Sequence, residues 1–250
     1  MDQVQTIQSV CGTIQLRKDS ATGAVMYELE GCGQSAADAD GISMASYIHA
    51  LFGLLSQAKS RNVLVLGGAG GTLATLLVRA RAAVTLVDID PKAFELARDF
   101  FHLPAGVTCH VADAQAFLQT GTQTFDAIVL DVFVGNHIPE HLQTQDFFAA
   151  ARKRLAPGGV MLANVHVKHD FDDFADRMAL AMRASWPLVR VLDAIGKCPR
   201  NAVVMAGAVE KLRPPRLLVP SSTNPGGLRK ELADLAFRTW KASRWDFGRR

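Results

Sequence analysis

The chain has 250 residues, 49% of them hydrophobic, and a net charge of only +3; that length suits one domain with small additions at its ends. No apolar run is long enough to span a bilayer, and the first 30 residues lack the basic-then-apolar order of a signal peptide, so no membrane partner is expected. The four cysteines, Cys11, Cys32, Cys109 and Cys198, are scattered without a C-x-x-C pair, which predicts reduced thiols and a cytoplasmic protein.

In chain order, residues 6–16 and 24–29 read as strands of a short N-terminal β-hairpin around a turn at 18–23. A Gly- and Asp-rich loop follows at 31–41. Apolar residues at helical spacing then predict a helix over 43–57. The run Asn62-Val-Leu-Val-Leu66 is apolar throughout, as a parallel strand covered on both faces should be. It ends in Gly67-Gly-Ala-Gly-Gly71, with a helix predicted over 72–82.

The alternation continues with strand 83–87, a helix opened by Pro91, strand 107–111 and a short helix to 118. Strand 125–130, helix 146–155, strand 160–165 and helix 170–185 come next. Strands 188–192 and 202–206 are expected as an antiparallel pair at the sheet edge. Seven strands alternating with helices predict an α/β fold with a doubly wound, mostly parallel seven-stranded sheet. Residues 210–225 carry four prolines and read as an extended linker, with a final amphipathic helix over 227–242. From Lys211 onward ten Lys+Arg face three Asp+Glu, which leaves residues 1–210 net acidic. This basic tail is expected to be a solvated surface helix; no base-reading motif accompanies it, so nucleic acid is not an expected partner. The organisation is therefore 1–42 as a β-strand region and loop, 43–209 as a nucleotide-binding catalytic core, and 210–250 as linker and basic helix.

In an open parallel sheet the ligand binds beyond the carboxyl ends of the strands. Four positions there carry candidate chemistry. Gly67, Gly68 and Gly70 lie in a turn where the backbone can approach a ligand closely, and the helix behind offers unpaired amides to an anion. The strict G-x-G-x-x-G and phosphate-loop patterns both fail, which counts against a nicotinamide-dependent oxidoreductase. Asp88, 21 residues after Gly67 with Ile89 beside it, can accept from ribose hydroxyls; its alternative, and the role of Asp90, is a helix cap. The Asp113 carboxylate can accept from an adenine amino group while the Ala114 amide donates to the ring, again with a helix cap as the alternative. Asp131, ending a central strand, can orient or deprotonate a nucleophile. His137 and His141 sit four apart, but Pro139 interrupts any helix between them and no third ligand is evident. That stretch is expected to form a substrate lid, with no metal. His166 and His169 are expected at the surface.

Taken in order, Gly33-Gln-Ser35, Tyr47, Val63-Leu-Val-Leu-Gly-Gly-Ala-Gly-Gly71, Val87-Asp-Ile-Asp-Pro91, Ala112-Asp-Ala114, Phe125-Asp-Ala-Ile-Val-Leu-Asp131 and Leu155-Ala-Pro-Gly-Gly-Val160 resemble the spermidine synthase family, the polyamine aminopropyltransferases. The resemblance implies a Rossmann-like core of the class I methyltransferase type and a homodimer. It implies that Asp88 holds ribose, Asp113 reads adenine, Asp131 is the catalytic base, and Gln34 and Tyr47 line the cleft. The co-substrate it implies is S-adenosylmethionine or decarboxylated S-adenosylmethionine, and the acceptor a small molecule such as an amine. Two departures point to a divergent, spermidine synthase-like branch. The family's aspartate in the glycine turn is replaced, at Gly70 or Ala69, and Val134 stands where a second substrate-holding aspartate is expected. An unpaired buried ammonium is costly, so these losses weigh toward methyl transfer while the family resemblance weighs toward aminopropyl, and both stay open. The losses also admit a second reading, a nucleotide-binding homologue without turnover that serves as a sensor or partner subunit.

Overall fold

A computed structural model describes residues 3–241. Residues 242–250 lie outside the described residues, and with them Ala242, the last residue of the predicted tail helix. The elements are β1 (Gln3–Ser9), β2 (Gly12–Lys18), β3 (Val25–Leu29), β4 (Cys32–Ala37), α1 (Ser46–Gln57), β5 (Asn62–Leu66), α2 (Thr72–Arg79), β6 (Ala83–Asp88), α3 (Pro91–Phe101), β7 (Thr108–Val111), α4 (Ala114–Thr120), β8 (Phe125–Leu130), α5 (Gln145–Arg154), β9 (Leu155–Val167), α6 (Phe174–Arg183), β10 (Val189–Asp193), β11 (Arg200–Gly207), α7 (Pro225–Ala233) and β12 (Ala236–Arg238). A 3₁₀ turn spans Glu140–Gln143.

The main sheet has the order β12-β10-β11-β9-β8-β5-β6-β7. Its centre is parallel, while β10, β11 and β12 run antiparallel at one end. The seven expected strands are all present, and β12 adds an eighth. The alternation of the central strands explains their apolar runs. Val63 and Val65 of β5 face a core with α1, α2 and α3, whereas Leu64 and Leu66 face a core with α4, α5 and α6. Each face excludes water, so both sets of side chains are apolar.

Four local expectations are corrected. Residues 6–16 are not one strand: Val10 and Cys11 form a turn between β1 and β2, and the 31–41 loop contains β4. The hairpin is thus part of a four-stranded antiparallel sheet in the order β1-β2-β3-β4, whose buried Ile14, Leu16, Tyr27 and Leu29 pack on Leu96 and Phe101 of α3. The predicted tail helix ends at Ala233, and the chain then pairs with β10 as β12. Arg238 explains this: it donates to the buried Asp193 and to Asp176, which ties the tail to the sheet instead of leaving it solvated. Helix 170–185 is shorter than expected, because residues 168–173 form turns held by the Asp172 carboxylate.

Candidate active site

The chain leaves β5 toward β6 and β7 on one side, then returns to place β8 on the other. The sheet's switch point therefore lies between β5 and β8, and open α/β sheets bind ligands outside such points. Gly67 follows β5 and Asp131 follows β8. Gly67 has φ +89°, and a Cβ there would collide with the Asp131 carbonyl, so the residue type follows from the close passage of the two strand ends.

Two cavities meet at this point. One, of ≈ 380 Å³, is bounded by Tyr27, Asp88, Ile89, Asp90, Asp113, Ala114 and His141. The other, of ≈ 270 Å³, runs past Tyr47, Thr72, Asn164, His166 and Asn201. Gln34, Gly67, Gly68, Ala69, Asp131 and Phe133 form walls of both. The expected site residues are thus gathered at one cleft, with one exception. Gly70 faces neither cavity: its amide donates to Ser35 Oγ at 3.0 Å, and a Cβ on it would meet the Phe101 ring at 2.8 Å.

Asp88 accepts from the Gly68 amide at 2.7 Å through Oδ2 and from the Asp90 amide at 2.9 Å through Oδ1. It therefore fixes the glycine turn from the wall of the larger cavity. Burial raises its pKa against those hydrogen bonds. Asp90 caps α3 through Lys92 N, as the alternative reading of this pair has it. Asp113 caps α4 with one oxygen and accepts from His141 Nε2 at 2.8 Å with the other. Burial acts upward on Asp113 but is outweighed by the Ala116 amide and His141, and the pKa is lowered. His141 thereby folds the 3₁₀ turn over the larger cavity. Among the described residues no group of three or more His, Cys, Asp or Glu could hold a metal ion.

Asp131 is a strongly perturbed carboxylate on the wall shared by both cavities. Its removal from water raises its pKa to about 6, against a hydrogen bond from Asn164. Tyr47 is pushed well above its ordinary range by burial and by the Asp131 carboxylate, so its hydroxyl stays protonated and able to donate. Gln34 is held by the carbonyl of Gly135 at 3.1 Å.

Several residues here were missed from sequence. Asn164, only 1% exposed, donates to Asp131 and accepts from Asn201 Nδ2 at 3.0 Å. A lone amide inside the apolar run of β9 was the available signal. His166, expected at the surface, lies half-buried on the smaller cavity's wall because β9 continues to Val167.

The spermine/spermidine synthase domain profile matches residues 45–171. A polyamine aminopropyltransferase of Vibrio vulnificus (strain CMCP6) is 33% identical over 121 residues, 46% of this chain and 40% of that protein. An N-terminal histidine N-methyltransferase of Emericella nidulans is 34% identical over 108 residues, 41% of this chain and 19% of that protein. Over the first three curated relatives the matched segments span 40%, 25% and 48% of their lengths. Among solved structures, a probable spermidine synthase from Corynebacterium glutamicum superposes with a TM-score of 0.77 at 23% identity, covering 94% of this chain and 90% of that one. A spermidine synthase in complex with the transition-state analogue AdoDATO superposes with a TM-score of 0.62 at 19% identity, covering 82% and 72%. These two likenesses establish the fold.

Proposed function

The chain belongs to the spermine/spermidine synthase domain family, and from that premise we propose that it is a transferase. It takes S-adenosylmethionine or decarboxylated S-adenosylmethionine as co-substrate and alkylates a small nucleophile, an amine. The relatives named polyamine aminopropyltransferases support aminopropyl transfer; the relative named a histidine N-methyltransferase supports a methyl group moved to nitrogen. No described helix is long and apolar enough to cross a membrane. A cytoplasmic homodimer remains part of the proposal, as family membership suggests.

The observation that carries the reading is Asp131, a carboxylate with a raised pKa on the wall shared by both cavities. In this reading the larger cavity holds the nucleoside, with its ribose on Asp88 and its base between Ile89 and Asp113–Ala114. The sulfonium supplies an electrophilic carbon. The acceptor nitrogen forms its bond to that carbon as the carbon–sulfur bond breaks, sulfur keeps the electron pair, and the ammonium proton passes to Asp131. Since sulfur is already a good leaving group, alignment supplies most of the rate, and Asp131, Tyr47 and Gln34 supply the alignment.

Asp131→Asn tests it. Turnover should fall by roughly 10²–10⁴-fold, the usual worth of a positioned base, with nucleoside affinity retained. Unchanged turnover would remove Asp131 from the chemistry. Binding without turnover in the unmutated protein, across a panel of amines, would favour the non-catalytic sensor reading instead.

A further inference from the structure

The smaller cavity is lined for an uncharged partner. Among the described residues on its wall Asp131 is the one carboxylate and Arg200 the one guanidinium. Arg200 is occupied, because it donates to both Asp193 and Asp170. Most of the polar side chains on that wall are neutral amides and hydroxyls, Tyr47, Asn136 and Asn201 among them. The imidazole of His166 completes the set.

His166 lies two residues beyond Asn164 on the same face of β9, about 7 Å along the strand, and directly opposite Asn201 of β11. Asn164 holds Asp131. A short aliphatic chain whose amine sits at Asp131 can therefore bring its other end to His166. The His166 Nδ1 is buried and has no hydrogen-bond partner among the described residues. A buried polar atom is ordinarily paired, and this residue borders the cavity. Burial, and after it Lys168, lower the His166 pKa. The ring is then neutral at pH 7, with one N–H donor and one acceptor nitrogen.

A hydroxyl or an amide matches that donor and acceptor. A second ammonium is met by the acceptor nitrogen but by no anion, since Asp131 is engaged by the reacting amine, and an ammonium taken out of water without an anion is costly. A carboxylate finds Arg200 saturated and is repelled by Asp131. We infer that the acceptor is a monoamine whose far end is an uncharged hydrogen-bonding group, and that His166 selects it, with Asn136 and Asn201 on the same wall. This rests on the placement of the acceptor amine at Asp131 proposed above.

Calorimetric titration of the protein saturated with methylthioadenosine tests the inference. The probes are linear primary amines of three to five carbons whose far end is a hydroxyl, a carboxamide, an ammonium or a carboxylate. At equal length the hydroxyl and carboxamide amines should bind at least roughly tenfold more tightly than the other two, a difference of about 1.4 kcal/mol. His166→Leu should weaken those two several-fold and leave methylthioadenosine affinity unchanged, which also shows that the variant is folded. His166→Asp places an anion at the far end and should reverse the order in favour of the diamine. Tightest binding of the diamine or of the carboxylate-bearing amine by the unmutated protein would overturn the inference. So would an order indifferent to both substitutions, or binding of none of the probes. If the hydroxyl and carboxamide amines bind as expected but none is alkylated from S-adenosylmethionine or its decarboxylated form, the selectivity assigned to His166 stands and the transferase reading falls.

Discussion

The Asn164 amide donates to the Asp131 carboxylate across 2.7 Å, joining the ends of two adjacent strands at the cleft. Asn201 on β11 holds Asn164 in turn. With its carbonyl oxygen taken by Asn201, the buried Asn164 side chain presents its amide nitrogen to Asp131. This bond favours the charged carboxylate and opposes burial, which favours the neutral acid.

The acid limb of kcat/KM should therefore lie near pH 6, with activity rising as Asp131 loses its proton. Asn164→Leu removes a hydrogen bond to a charged group, worth about 1.5–3 kcal/mol, and should move that limb upward by about one to two pH units. Asn201→Ala should move it less. A pH–rate profile settles the matter; an unmoved limb in Asn164→Leu would reduce Asn164 to a packing residue.

Asp131 also has a stability signature. Its pKa in the folded chain is above the ordinary 3.8, so between the two values the folded chain binds more protons than the unfolded one. Stability then falls as pH rises through that window, and the penalty is complete above about pH 7. Asp131→Asn should raise Tm above about pH 7 and converge with the unmutated protein below about pH 4. Calorimetric scans at both ends check it, and a lower Tm at high pH would contradict the assignment.

Asp193 behaves in the opposite sense. It is 2% exposed and accepts from both Arg200 and Arg238. Burial alone would raise its pKa, but the two guanidinium groups outweigh it and the pKa is lowered. Its contribution is present above the ordinary aspartate range and lost as pH falls through the lowered value. Asp193→Ala leaves Arg200 facing one carboxylate fewer and frees β12, and should cost about 3–5 kcal/mol, the usual loss when a buried pair is broken. A urea titration measures it; a cost under about 1 kcal/mol would mean that the pairs are no better than surface ones.

Gly67→Ala should disable ligand binding more than a surface substitution at Gly158 does. Both residues have positive φ, but only at Gly67 would a methyl group strike the Asp131 backbone; nothing lies near Gly158. The β8 end must shift to admit it. Methylthioadenosine affinity in the two variants compares the effects, and equal affinities would show that the passage at Gly67 is not tight.

Much of the core was legible because its signals are local. Apolar runs ending in Gly67, Asp88 and Asp131 mark buried parallel strands, and the rule for open sheets gathers their ends at one cleft. The N-terminal sheet was read poorly, since its strands are half-exposed, with Met26 facing out between buried Val25 and Tyr27, and a two-residue turn at Val10 and Cys11 carries no strong break. The tail was misread for a related reason. Its helical pattern continues past Ala233, but the buried carboxylate of Asp193, distant in sequence, draws Arg238 onto the sheet edge.

The sequence alone thus determined the order of strands and helices in the core, the family and the acids after the strands, because periodicity and spacing are carried by neighbouring residues. Tertiary structure decided the rest. The pairing of Asn164 with Asp131, the seat of Phe101 and Ser35 against Gly70 and the Asp193 pairs all join residues far apart in the chain. Their distances are set by how the layers pack, and no local pattern encodes them.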